Sequence, residues 1–144
     1  MVGYGDQVRK RGRPMMHIRR LMPEGRLSGA VIHAGTVYLA GQVPDDTALD
    51  AEGQTADVLR QIDTILAQAG TDKQHLLSVQ VVLRDGADYD GMNRAWDAWV
   101  VPAHAPARMT IVAGLARPGW RVEITGVAAL PLVSPLPMST TSFA

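Results

Sequence analysis

Between residues 76 and 83 the chain reads LLSVQVVL, with Leu77, Val79, Val81 and Leu83 on one parity and Ser78 and Gln80 on the other. That two-residue period predicts a strand. Upstream the period lengthens. In TADVLRQIDTILAQAG, Val58, Leu59, Ile62, Ile65, Leu66 and Ala69 recur at helical steps, which predicts a helix over 55–69 with Gly70 as its left-handed stop. A second helical stripe, Tyr89, Met92, Trp96 and Trp99, follows Asp88 at the N-cap position and must end before Pro102. Two β-favouring runs, 30–33 and 36–42, are split by Ala34-Gly35 and predict a hairpin. HIRRLM (17–22) supplies a first short strand despite its charge. The segments 107–112 and 120–130 supply the last two, with ARPGW at the turning end of their connection. The predicted order is β-β-β-α-β-α-β-β, an α+β domain. Strands separated by helices need crossovers, so part of the sheet is parallel, and two helices cover only one face of it. Apolar residues on both parities of 76–83 argue that another copy of the chain covers the second face.

Composition narrows the class without changing that outline. With 144 residues and 47% hydrophobic side chains, the chain fits one globular domain. Three Trp, three Tyr and one Phe leave the core to aliphatic residues and Met. The absence of cysteine excludes disulfides and thiolate metal sites and is compatible with a reducing compartment. The longest apolar runs fall well short of the roughly 20 residues of a membrane-crossing helix. A soluble, cytoplasmic protein is therefore expected.

The balance of 14 basic and 14 acidic residues conceals an asymmetry. Residues 1–26 hold seven of the Lys and Arg against Asp6 and Glu24, whereas the remainder carries seven basic and 12 acidic residues, a formal charge of −5. Residues 1–15 read as a basic, flexible arm; a nucleic-acid tether or an organelle presequence is the functional alternative, and no apolar segment of a secretory signal is present. The Pro/Ser/Thr-rich residues 133–144 read as a tail, leaving 16–132 as the single domain. The body has no basic stripe, so a nucleic-acid partner is not expected.

The segment MNRAWDAWVVPAHAPARMTIVAGLARPGWRVEITGVAAL, with VIHAGTVYLAGQV and the helix at 55–69, resembles the RidA/YjgF family of reactive intermediate deaminases, most of all its YoaB-like branch. The resemblance spans about 27–130 and rests on the combination of an AGQ-like strand end, MN, PAR and VEI. It implies a chorismate-mutase-like fold, a trimer with clefts between subunits, and cofactor-free hydrolysis of 2-imino acids, formed from 2-aminoacrylate-type enamines, to 2-keto acids and ammonia. The activity implied is that of a 2-iminobutanoate/2-iminopropanoate deaminase.

Such a substrate sets a carboxylate beside an electrophilic C=N carbon, so the site needs a fixed cation and a positioned water. Arg108 matches the family arginine that grips the carboxylate, a task suited to a planar fork that stays charged. Glu123, the one acid after Asp97, matches the glutamate that holds the attacking water. Gly41 and Thr110 match positions whose main chain binds substrate, and Asn93 matches the asparagine near the cleft. From the residues alone, Arg108 could instead pair with a surface acid, Glu123 could serve as counter-ion to Arg121 or Arg117, Gly41 could mark a strand end, and Asn93 could face solvent. Two departures turn the implied cleft apolar. Leu27 stands where many relatives have an aromatic residue, and Ala40 where archetypal members have serine. Pro118, Trp120, Trp96 and Trp99 read as packing.

His17, His33, His75 and His104 show no ligand spacing, so no metal is expected. Three function classes follow: an imine deaminase; a non-catalytic binding module for small 2-keto or other carboxylic metabolites on the same trimeric scaffold; and, least favoured by the acidic body, a ribonuclease.

Overall fold

The computed structural model describes residues 17–132. The arm and tail inferred at 1–15 and 133–144 lie outside the described residues. The elements follow the predicted order: β1 (Arg19–Pro23), β2 (Ser28–His33), β3 (Thr36–Leu39), α1 (Ala51–Ala69), β4 (Leu76–Leu83), α2 (Tyr89–Trp99), β5 (Ala107–Val112) and β6 (Val122–Ala129). They form one six-stranded sheet ordered β1-β2-β3-β6-β4-β5. Only β4 and β5 pair in parallel, joined through α2 as a crossover requires.

Local chemistry explains each boundary. Ala34 (φ 51°) and Gly35 (φ 79°) make the two-residue turn between His33 and Thr36, with both central residues left-handed as that hairpin type demands. The hairpin's second strand stops at Leu39, short of the predicted Gln42. Ala40 N–H turns to the Gly29 carbonyl (3.0 Å), and Gln42 rejoins the sheet by exchanging both main-chain bonds with Ile124 (2.8 and 3.0 Å). Gly41 is left in the gap. α1 starts a turn before its apolar stripe because the Asp50 side chain accepts the Gly53 N–H at 2.8 Å, and it ends where Gly70 adopts φ 88°.

The stripe Val58, Leu59, Ile62, Ile65, Leu66 and Ala69 is buried against the sheet. Each of the larger side chains contributes on the order of 2 kcal/mol. Both helices lie on one face, where Val37, Val81, Val122, Ile124 and Ala128 are fully enclosed.

Two expectations need correction. Leu77 does not share the inner face with Val79, Val81 and Leu83; it is 53% exposed. The pairing with β6 shifts by one residue between Leu76 and Ser78, so a bulge makes Leu77 the extra residue and turns Leu76 inward. Asp88 stands at the N-cap of α2 but makes no capping bond. Its Oδ2 accepts from Arg121 Nε at 3.3 Å instead, and a 3-10 turn over Gly86–Asp88 leads into the helix. Tyr89, on the predicted stripe, is exposed, while Gly91, Met92, Ala95 and Trp96 are buried.

The helix-free face presents Tyr38, Met109 and Ile111 with 49, 48 and 41% of their surfaces exposed. Among the described residues, no helix is long and apolar enough to cross a membrane.

Candidate functional site

Glu123 is the second residue of β6 and pairs with Val82, one row away from the buried pair Val81 and Ile124. Strand alternation therefore sends its side chain to the helix-free face. There it meets the gap at Gly41. A Cβ at that position would stand 3.0 Å from Glu123 Cδ and 3.2 Å from Cγ, and closer still to Oε1. Glycine is thus required by the carboxylate's place and not by backbone conformation. The two line an open cleft of about 400 Å3 with Met22, Leu27, Ala40 and Trp120. Among the described residues Glu123 has no ionic partner. Its proposed counter-ions are engaged elsewhere: Arg121 with Asp88, and Arg117 over the Trp120 ring at 5.9 Å.

Two buried polar side chains, Gln54 and Asp57, and the half-buried Arg84, none of them marked by a motif, fix the approach to this cleft. Gln54 is fully buried in α1; its Nε2 donates to the carbonyls of Thr47, Leu49 and Gly119 (3.4, 3.2 and 3.1 Å), and its Oε1 accepts the Arg121 N–H at 2.8 Å. One amide thus joins the loop before α1 to the loop before β6. Arg84 donates from Nε to the Trp120 carbonyl (2.7 Å) and from Nη2 to those of Leu115 (3.3 Å) and Arg117. Asp57 accepts the Asp45 N–H at 2.7 Å. Burying such groups is tolerable because each is bonded. The available signal was a glutamine and an aspartate on the inner turns of an amphipathic helix. Trp120, read as packing, proves to be a wall of the cleft.

Arg108 belongs to a second cluster. It pairs with Val79 on β5, a row whose side chains face the helices. Its guanidinium lies over the Trp96 ring, 5.0 Å from the centroid, with Nη1 3.8 Å from Met92 Sδ. Trp96 is braced by Trp99 at 5.5 Å between centroids, and Trp99 Nε1 donates to Asp63 Oδ2 at 2.9 Å. A cation over an aromatic face gains about 0.5–2 kcal/mol and keeps its hydrogen-bond donors in the ring's plane free. No carboxylate pairs with Arg108 among the described residues, so the surface-acid alternative is not realised.

Thr110 shares that face, and its Oγ1 is buried without a hydrogen-bond partner. β5 is the sheet's edge. Because Ala113 N–H bonds the Leu83 carbonyl (3.0 Å), alternation turns the main-chain N–H groups of Arg108 and Thr110 toward the unpaired side. Asn93 is half-buried beside Met92 on α2.

The structure thus brings together Leu27, Ala40, Gly41 and Glu123, and separately sets Arg108 and Thr110 on one face of β5, with Asn93 next in sequence to the Met92 that Arg108 touches. Within one protomer the two groups lie on opposite faces of the sheet. Among the described residues, no group of three or more His, Asp or Glu is placed to hold a metal ion.

A single mixed six-stranded sheet with both helices on one side and β5 as an open edge is the architecture of a chorismate-mutase-like domain. Residues 17–130 match the family described as Endoribonuclease L-PSP, and the chain belongs to it, the RidA/YjgF family. It is 47% identical to the RutC family protein YoaB of Escherichia coli (strain K12) over 115 residues, 80% of this chain and 100% of that one. A solved member of the YjgF protein family from Neisseria meningitidis superposes with a TM-score of 0.80 at 47% identity, over 82% of this chain and 98% of that chain. More distant is the 3-aminoacrylate deaminase RutC of Acinetobacter baylyi, 36% identical over 98 residues, 64% of this chain and 77% of its own.

Proposed function

We propose that this protein is a cofactor-free hydrolase of 2-imino acids whose site forms between protomers of a homotrimer. Arg108 of one copy clasps the substrate carboxylate, and Glu123 of the next aims water at the C=N carbon. The observation that carries this reading is that, among the described residues, neither charged group has a counter-ion while each is held in a built setting, the guanidinium on Trp96 and the carboxylate against Gly41. Two opposite charges on opposite faces converge on one ligand only if a second copy supplies one of them. The exposed Tyr38, Met109 and Ile111 give such an assembly an apolar surface to cover.

In the proposed reaction Glu123 takes a proton from water as its oxygen adds to the imine carbon, whose nitrogen is protonated. Glu123 then returns that proton to the amino nitrogen of the resulting carbinolamine, the C–N bond breaks to release ammonia, and the hydroxyl proton passes to water, giving the 2-keto acid. The main-chain N–H and Oγ1 of Thr110, with Asn93, supply donors around the carboxylate held by Arg108. The relative whose printed name is a deaminase of an unsaturated amino acid supports the same class of chemistry.

The test couples the protein to an amino-acid oxidase that releases imines and follows the semicarbazide-trapped fraction. Wild type is expected to reduce trapping and speed keto-acid release, and Arg108→Ala and Arg108→Lys to lose most of that effect. Equal rates with and without protein, together with saturable keto-acid binding, would establish the second reading, a non-catalytic metabolite-binding module. The observation favouring that reading is that Leu27 and Ala40 place no polar side chain beside Glu123. A ribonuclease reading gains no support from a body of charge −5, since RNA binding relies on neutralising phosphates.

A further inference from the structure

Met22 is the unexplained residue of the cleft. It has φ 48°, a left-handed conformation that a non-glycine residue adopts only under constraint. The β1–β2 register does not need it. Leu21 pairs with Ala30 and Pro23 with Ser28 in unbroken sequence, and the ladder merely lapses at Met22 and Gly29. The conformation lays the thioether across Gly29, where a Cβ would stand 3.4 Å from Met22 Cβ and overlap its terminal methyl. Gly29 is thus the blank that accommodates the methionine. Packing within the protomer is not the reason, because Met22 remains 45% exposed in the single chain. Leu27, 52% exposed, lines the same cleft, as do Glu24, Trp120 and Glu123. A strained backbone holding an exposed apolar side chain at the mouth of a candidate site is the arrangement in which strain serves a ligand.

We infer that Met22, with Leu27, forms the subsite for the substrate's side chain and makes the enzyme select 2-imino acids with large apolar side chains. The inference rests on the deaminase reading and adds the substrate class to it. The cleft volume of about 400 Å3 accommodates a leucine-, methionine- or phenylalanine-derived imine. An unbranched thioether adapts to several such shapes. Glu24 and Glu123 together repel acidic side chains.

The experiment measures kcat/KM for imines generated in situ from alanine, leucine, methionine, phenylalanine, aspartate and lysine, for wild type, Met22→Ala and Met22→Gly. Calorimetric binding of pyruvate and 4-methyl-2-oxopentanoate, and thermal unfolding, accompany it. Wild type is expected to favour the three large apolar imines over the alanine-derived one by about tenfold or more. In Met22→Gly that preference falls to about threefold or less, although glycine relieves the backbone and Tm does not drop. Retention of the full preference in Met22→Gly, or a wild-type preference for the alanine-, aspartate- or lysine-derived imine, overturns the inference while leaving the deaminase reading intact. Absence of turnover on every imine overturns the deaminase reading. The keto-acid pair then decides the subsite: tighter binding of the branched acid that weakens in Met22→Gly supports it, and equal binding sinks it.

Discussion

Mixing two dead variants is the sharpest test of a site split between protomers. Arg108→Ala removes the carboxylate clasp and Glu123→Ala removes the water-positioning carboxylate, so each homo-oligomer is expected to be inactive. In one protomer these residues sit on opposite faces: Arg108 shares a row with the inward-facing Val79, and Glu123 pairs with Val82. A working site then needs an intact Arg108 from one copy and an intact Glu123 from its neighbour. When the variants are unfolded together in equal amounts and refolded, each partner at a given boundary carries the required residue with even odds. About a quarter of the sites are complete, and the mixture should recover about 25% of wild-type activity. The readout is the semicarbazide-competition assay, with light scattering or native mass spectrometry to verify that mixed oligomers formed. A mixture no more active than the mean of its two components, in samples where mixed oligomers are present, would refute the split arrangement.

Four further outcomes test other links. Gly41→Ala pushes a Cβ against the Glu123 carboxyl group, now 3.0 Å from that position at Cδ, so kcat should fall about 10²-fold while Tm changes little. Thr110→Val removes an unpartnered buried hydroxyl, so thermal unfolding should show stability unchanged or raised by about 1 kcal/mol, while titration shows keto-acid binding weakened about tenfold. Gln54→Leu cuts the bonds between the two loops and should cost about 2–4 kcal/mol by denaturant unfolding, with faster amide exchange in 44–50 and 114–121. The hydrogen bond from His75 holds the Asp72 carboxyl below its ordinary 3.8. A depressed carboxyl stabilises the fold above its unfolded pKa and loses that contribution as pH falls through the folded value. The Tm difference between wild type and Asp72→Asn should therefore be present near neutrality, begin to shrink below about pH 4, and vanish once pH has fallen through the lower folded value.

Periodicity made the scaffold legible because most of the burial is regular. The α1 stripe, both crossovers and the Ala34-Gly35 hairpin needed only spacing and turn chemistry. Leu77 was misplaced because a bulge shifts the pairing by one residue, and a strand's own sequence does not record where its partner slips. Asp88 takes the N-cap position that its sequence context predicts, yet makes no capping bond for a related reason: its carboxylate is drawn to Arg121, whose position depends on a loop distant in sequence. The site shows the same division. Arg108, Glu123 and Gly41 stood out through a family pattern, and the coordinates added which of them share a face. Gln54, Arg84 and Met22 carried no motif. Gln54 and Arg84 bind main-chain N–H and carbonyl groups 31–67 residues away along the chain, apart from the local contacts of Gln54 with Thr47 and Leu49. Met22 is recognisable only by its backbone angle.

The separation of Arg108 from Glu123 also has a chemical reason. A guanidinium and a carboxylate on one face of adjacent strands would be free to form a bidentate pair, and each would then be occupied by the other; the sheet prevents this twice, by an intervening strand and by parity. Here β5 and β6 flank β4, and the rows of Arg108 and Glu123 meet that strand at Val79 and Val82. Those rows are three residues apart along β4, an odd step, so alternation puts the two charges on opposite faces. Trp96 then holds the cation without neutralising it, and Gly41 gives the carboxylate room without donating a charge. Each group stays available to a ligand that presents both a carboxylate and a carbon open to water. On the proposed split site, the parity that keeps Arg108 and Glu123 apart in one protomer is also what leaves each of them open to a ligand held between two copies.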